Sequence, residues 1–229
     1  MALIFDEIGG EIPLVRRVWS ARCDGPTAFS SVAKSSSMIV FARCGDQVTV
    51  HVRGPETKAT SMMCEDGWEF FGVDLRPGAY LPMFPPPDVR DLSDAQLPTV
   101  SDRRVVLDDR EWEIPTEQNV DVFVERLVRS GLLVYDPLVD DVRHGERPRS
   151  ISERTAQVRF RHAMGISHRK LVSIERAQQA ARLLIAGGSI IDAVVAGDYY
   201  DQPQLTRAIR WATGHTPNEL RSGATVLAF

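Results

Sequence analysis

At 229 residues and 43% hydrophobic content, the chain is long enough for one large domain or two modest ones, and its composition is that of an ordinary globular protein. No apolar run approaches the ~20 residues of a membrane span, and Met1–Glu7 lacks the basic start and small-residue cleavage site of a signal peptide, so the cytoplasm is the expected compartment. The net charge of -4 conceals a division: Arg143–Arg221 holds 13 Lys+Arg against 7 Asp+Glu, and the remainder holds 14 against 24. A block of +6 suited to a polyanion therefore follows a block of -10 that a polyanion would repel.

From Ala28 to about Leu81 short runs alternate and favour β-branched and aromatic residues, as in Val48–Arg53 and Trp68–Leu75, which predicts strands. Gly45-Asp46, Gly54-Pro55 and Arg76-Pro77-Gly78 mark turns between them, and Pro82–Pro87 excludes regular structure. A small antiparallel sheet or barrel follows. Cys23, Cys44 and Cys64 stand about twenty residues apart without a C-x-x-C pair, so neither a disulfide framework nor a zinc site is suggested. Trp68, Phe70 and Tyr80 are candidates to line an apolar ligand pocket, although aromatics at alternating strand positions also build cores.

Past Pro115 the period changes. Val120, Phe123, Val124, Leu127 and Val128 fall on one face of a helix, which places a domain boundary there and divides the chain into residues 1–115 and 116–229. From Ser152 onward caps delimit a series of helices. Ser152 opens a helix to Met164 that Gly165 ends. Ser167 opens the longest one, whose apolar stripe runs from Leu171 to Ile185 before Gly187-Gly188. Ser189 begins a short helix to Val195, Asp201 caps another as far as Thr213, and Thr216-Pro217-Asn218-Glu219 combines an N-cap, an N1 proline and a capping-box glutamate.

The chain repeats itself at an offset of 49 positions. Ser152 aligns with Asp201, Ala156 with Leu205, Phe160 with Ile209, Arg161 with Arg210, Gly165 with Gly214 and Ser167 with Thr216. One unit is thus used twice: a capped helix with an inward i, i+4 apolar pair, a basic residue, then glycine and a new cap. The intervening helix, at ~1.5 Å per residue, spans about 30 Å, close to the ~34 Å between successive major-groove segments on one face of a duplex. With Ala156 and Phe160 inward, Arg154, Gln157, Val158 and Arg161 point out. With Leu205 and Ile209 inward, Gln202, Pro203, Thr206, Arg207 and Arg210 point out, and Arg and Gln are the residues that read guanine and adenine edges bidentately.

Ser152–Arg161, Tyr199–Arg207 and Gly214-His215-Thr216-Pro217 resemble the DNA-binding region of the AraC/XylS family of transcription regulators over about Asp136 to Arg221. Gly72–Ala79 and Asp88–Leu92 are similar to the N-terminal sensory domain of an actinobacterial branch of it. The resemblance implies an α+β protein: a β-rich, barrel-like sensory or dimerisation domain, then an all-α domain with two helix-turn-helix units joined by a long helix. It also implies double-stranded DNA as partner, contact with RNA polymerase, a small-molecule effector and a homodimer, with no cofactor. By position, Arg154, Gln157, Val158, Gln202 and Arg207 would face bases. Two departures stand out: the helix before the first recognition helix is shortened to Asp136–Gly145 with a loop at Pro148, and Asp198 replaces the glycine that usually turns into the second. Aspartate tolerates a left-handed conformation at a cost, and Gly197 is the alternative residue for the turn.

Other classes fit less well. A metal-binding barrel enzyme needs clustered ligands, yet His51 is the one histidine before His144 and has no His or Glu at ligand spacing. Ser30-Ser31 and Ser35-Ser36-Ser37 lack a nucleophile elbow and a His partner. A regulator that has lost DNA binding and acts through a protein partner is the remaining alternative.

Overall fold

The computed structural model describes residues 2–8, 11–91, 94–146, 150–223 and 225–229, without the side chains of 2–5 and 8; Leu92 and Pro148 lie outside the described residues. The strands of the first half are β1 (Ala2–Ile8), β2 (Val15–Asp24), β3 (Thr27–Ser31), β4 (Met38–Cys44), β5 (Gln47–Arg53), β6 (Thr60–Cys64) and β7 (Glu69–Leu75). They are followed by β8 (Ala79–Tyr80), β9 (Ala95–Leu97), β10 (Thr99–Ser101), β11 (Arg104–Leu107) and β12 (Arg110–Glu113). Helix α1 (Val120–Arg129) and strand β13 (Val134–Tyr135) lead into the helical half. That half contains α2 (Leu138–Arg143), α3 (Glu153–Met164), α4 (His168–Ile185), α5 (Ile190–Ala196), α6 (Gln202–Thr213) and α7 (Pro217–Ser222), with strand β14 (Leu227–Ala228) after it.

The main sheet is antiparallel with order β1-β2-β7-β4-β5-β9. Its period-two alternation gives each face a different job. Val18, Ile39, Phe41, Val50, Val52, Val73 and Leu75 form one buried core with Trp112 of β12 and with Phe123, Val124 and Leu127 of α1. Thus α1, although it follows Pro115, lays its apolar stripe on the β-rich core. The opposite face carries Trp19, Met38, Val40 and Phe70 toward a second, three-stranded sheet of order β14-β3-β6. The barrel-like expectation therefore becomes a layered arrangement: the β10-β11-β12 sheet and α1 cover one face and β3-β6 the other, and among the described residues β1 and β9 are the edges of an open sheet.

Two local constraints hold the layers in register. A Cβ on Gly72 would lie 2.1 Å from the Trp19 ring, so only glycine lets the indole lie flat across β7, where its Nε1 donates to Asp74 at 2.9 Å. A disulfide joins Cys23 of β2 to Cys64 of β6, with Cα atoms 6.3 Å apart, and leaves Cys44 free. This corrects the reading of the cysteines, whose wide spacing gives no hint that stacked sheets bring two of them together.

The helical half has two cores sharing α4. Phe160, Ala163, Met164, Leu171, Ile174 and Ala177 pack with Ala212 and with Ala33 of the β-rich half. Ala180, Ala181, Leu184, Ala193, Leu205, Ile209 and Leu220 form the other. Since overpacking a filled site costs about 1–3 kcal/mol, Gly72→Ala is expected to lower the unfolding free energy by that much in a urea titration. An unchanged midpoint would show that the ring has room to move.

Candidate nucleic-acid interface and effector pocket

The 49-residue repeat is a structural one. Helices α3 and α6 have 12 residues each; the Ser152 side chain accepts from Thr155 N–H and the Asp201 side chain from Gln204 N–H, and both helices end on left-handed glycines, Gly165 (φ 68) and Gly214 (φ 80). Ser167 and Thr216 then cap α4 and α7 in the same relative place. In the α7 capping box the Glu219 side chain accepts from Thr216 N–H, and that bond holds its carboxyl below the usual range.

Both helices bury the predicted pair, and they expose the predicted set except Thr206. Ala156 and Phe160, like Leu205 and Ile209, are buried, whereas Arg154, Gln157, Val158, Arg161, Gln202, Pro203, Arg207 and Arg210 are exposed. Thr206 is half-buried and its Oγ1 donates to Gln202 O at 2.9 Å. Val158 is 61% exposed, and Ile191 and Val195 of α5 are still more so, at 75% and 74%. The arginines divide by orientation. Arg143, Arg159 and Arg176 pair with Glu175, Asp136 and Asp198. Among the described residues, Arg154, Arg161, Arg207 and Arg210 form no ion pair, so their charge is available to a partner.

The two departures resolve differently. Helix α2 has six residues and α5 has seven, so the helices are nearly equal and the difference lies in the connection: residues 144–152 precede α3, whereas 197–201 precede α6. Beside the longer connection a cavity of about 520 Å³ opens against Ala156, Phe160 and the start of α4. At the second departure Asp198 itself takes the left-handed turn (φ 50), while Gly197 stays at φ -86. Arg176, on α4, stabilises that turn: its Nε donates to Gly197 O at 2.7 Å, its NH2 donates to Asp198 O, and its guanidinium lies 4.9 Å from the Tyr199 ring centroid. Sequence reasoning missed Arg176, since a residue 22 positions away in sequence gives no periodic signal. It also missed Tyr200, 93% exposed immediately before the cap of α6.

In the β-rich half, a cavity of about 550 Å³ lies between the main sheet and β3-β6. Trp68 and Phe70, stacked with ring centroids 6.1 Å apart, line it with Trp19, Phe29, Met38 and Phe229. Tyr80 stands elsewhere, edge-on to His162 of α3 at 5.6 Å. At the cavity margin Lys34 Nζ and Arg53 NH2 both approach Glu56 Oε1, at 3.2 and 3.4 Å, and Ser31 Oγ donates to Oε2 at 2.8 Å. Two cations thus share one carboxylate in a buried setting. His51 Nδ1 meets Asp94 at 2.7 Å on the rim.

Residues 149–223 match the helix-turn-helix domain family. With the geometry above, that match marks the segment as a helix-turn-helix domain. No curated protein matches the chain. Among solved structures it is similar to ToxT from Vibrio cholerae bound to (E)-4-(8-methylnaphthalen-1-yl)but-3-enoic acid, at 8% identity and a TM-score of 0.46, covering 96% of this chain and 99% of that one. It is also similar to ToxT from the same organism with an unsaturated fatty acid bound, at 10% identity and a TM-score of 0.41, covering 88% and 92%.

The turn generates a prediction. Removing side-chain strain at a left-handed residue is worth up to ~1 kcal/mol, so Asp198→Gly is expected to raise stability slightly and to maintain or tighten duplex binding in a gel-shift titration. Arg176→Ala should do the reverse, costing about 1–3 kcal/mol because it strips charged hydrogen bonds from two carbonyls. A markedly weaker Asp198→Gly variant would overturn this account of the turn.

Proposed function

We propose that the protein is a transcription regulator that binds duplex DNA sequence-specifically through two reading heads, α3 and α6, and answers to a small-molecule effector held in its β-rich half. The observation that carries the reading is the pair of equivalent capped helices, each exposing unpaired arginines and a glutamine on a +6 segment. In this reading Arg154, Gln157, Val158, Arg161, Gln202, Pro203, Thr206, Arg207 and Arg210 contact DNA. Arg207 is assigned to a guanine edge and Gln202 to an adenine. Helix α4, 18 residues long and so about 27 Å, is the rigid spacer that sets the two heads near one duplex pitch apart.

Residues 1–115 serve as the sensory or dimerisation part and 116–229 as the DNA-binding part, with α1 packed across the junction. The effector occupies the cavity lined by Trp68 and Phe70. Its apolar walls suit a ring or hydrocarbon body, and Lys34 and Arg53, which share the single carboxylate of Glu56, suit an acidic group on it, in a lining whose acidic residues are Glu65 and Asp94. The protein works in the cytoplasm as a homodimer that contacts RNA polymerase, without catalysis or cofactor.

Neutralised phosphates make binding salt-dependent, with a slope near -0.9 per phosphate contacted. The duplex affinity is therefore expected to fall steeply on a log-salt plot, and a flat response would point to a protein partner instead. Arg207→Ala should cost ~1–3 kcal/mol and relax preference at one base pair. An equal loss on every duplex tested would reduce Arg207 to a phosphate contact.

A further inference from the structure

Residues 225–229 leave the last helix of the second reading head and enter the other half of the molecule. Strand β14 pairs in parallel with β3, Leu227 opposite Ser30 and Ala228 opposite Ser31; Ser30 N–H donates to Val226 O and Val32 N–H to Ala228 O, both at 3.0 Å. On one side Leu227 and Phe229 pack against the core of α4, α6 and α7. On the other, Ala228 and Phe229 line the cavity that holds Trp68 and Phe70. Arg17 of β2 donates to Phe229 O, and the Arg182 guanidinium of α4 lies 5.0 Å from the Phe229 ring centroid. Burial, then the nearby charges of Arg16 and Arg17, disfavour the charged form of Arg182, with Glu7 opposing them, while Arg17 itself pairs with Asp74 at 2.7 Å.

We propose that residues 225–229 are a movable wall of the effector pocket, through which occupancy of the pocket is thermodynamically linked to the state of the second reading head. The proposal rests on the reading of the cavity as the effector site. A fixed wall would be expected to have many backbone bonds and fully buried side chains. This segment is a two-residue strand with every side chain from Thr225 to Phe229 only half-buried. Its detachment belongs to the low-energy, local class of openings. A ligand that packs against Phe229 favours the attached state, and whatever distinguishes attached from detached at α6 is then felt by DNA; by linkage, DNA acts back on the ligand by the same factor.

The test uses the full chain, the fluorescent aromatic anion anilinonaphthalene sulfonate as pocket probe, and a duplex selected from random sequence by the intact protein. Saturating probe is expected to change duplex affinity by at least about fivefold, the lower end of ordinary coupling. Phe229→Ala, and separately deletion of 225–229, should bring that change within twofold while the probe and the duplex each still bind. In the same variants the Ser30 and Val32 amides should exchange with solvent at least about tenfold faster, as expected of hydrogen bonds that open locally. Coupling that survives both variants, coupling absent from the intact chain, or amide exchange that does not change would each overturn the wall while leaving the pocket reading intact. A probe whose affinity ignores Trp68→Ala and Phe70→Ala would instead overturn the pocket reading, and the proposal with it.

Discussion

The buried stripe of α4 is the constraint from which the helical half follows. Leu171, Ile174, Ala177, Ala180, Ala181 and Leu184 are each fully buried, at spacings that keep them on one side of an 18-residue helix. Burying each of the larger three is worth about 1.5–3 kcal/mol. The alanines contribute differently, because their small size lets neighbouring helices approach α4 closely. The first half of the stripe belongs to the core of α3 and the second to the core of α6. One helix therefore fixes both heads, and neither head can tilt without disturbing a core that contains α4.

Charge is organised around the same helix. Two arginines that face other elements are neutralised there, Arg143 by Glu175 and Arg159 by Asp136 at 2.8 and 2.6 Å. Those on the outer faces of α3 and α6 are not. An isolated domain gains little from surface ion pairs, so leaving four arginines unpaired costs almost nothing in stability and leaves the outer faces of α3 and α6 positive. Arg176 is the exception that clarifies the rule. It points to the turn before α6 and spends its hydrogen bonds on two carbonyls, which is how an aspartate at φ 50 is tolerated where glycine is usual.

Much of the helical half was legible in the sequence because its signals are local. Ser152, Ser167, Ser189, Asp201 and Thr216 all cap through side-chain oxygens, and a cap declares itself within four residues. The β-rich half was legible only in part. Strand β5 alternates, but β4 is buried without a break from Met38 to Ala42, β2 runs Val15-Arg16-Arg17-Val18 with no strict period, and β9 to β12 are three or four residues long. The pocket cluster of Lys34, Arg53 and Glu56, the Cys23–Cys64 bond and the pairing of β14 with β3 all join segments distant in sequence. No periodicity encodes such contacts; they exist only once the sheets stack.

That stacking makes a short stretch of chain the meeting point of the two halves. Ser30 Oγ lies 2.9 Å from His215 Nε2, Ala33 N–H donates to Ala212 O at 2.7 Å, and Gln178 Nε2 donates to Ala33 O at 2.7 Å. The intervening Ser31 and the following Lys34 point the other way, into the cavity. Residues that touch the helices and residues that line the pocket thus lie side by side within Ser30–Lys34. Ala33 is 0% exposed and belongs to the core of the first head, and its two backbone bonds reach α4 and the end of α6. A buried backbone group that loses its partner costs about 1–3 kcal/mol, so this stretch cannot shift on its pocket side without shifting, or breaking with, both helices on the other.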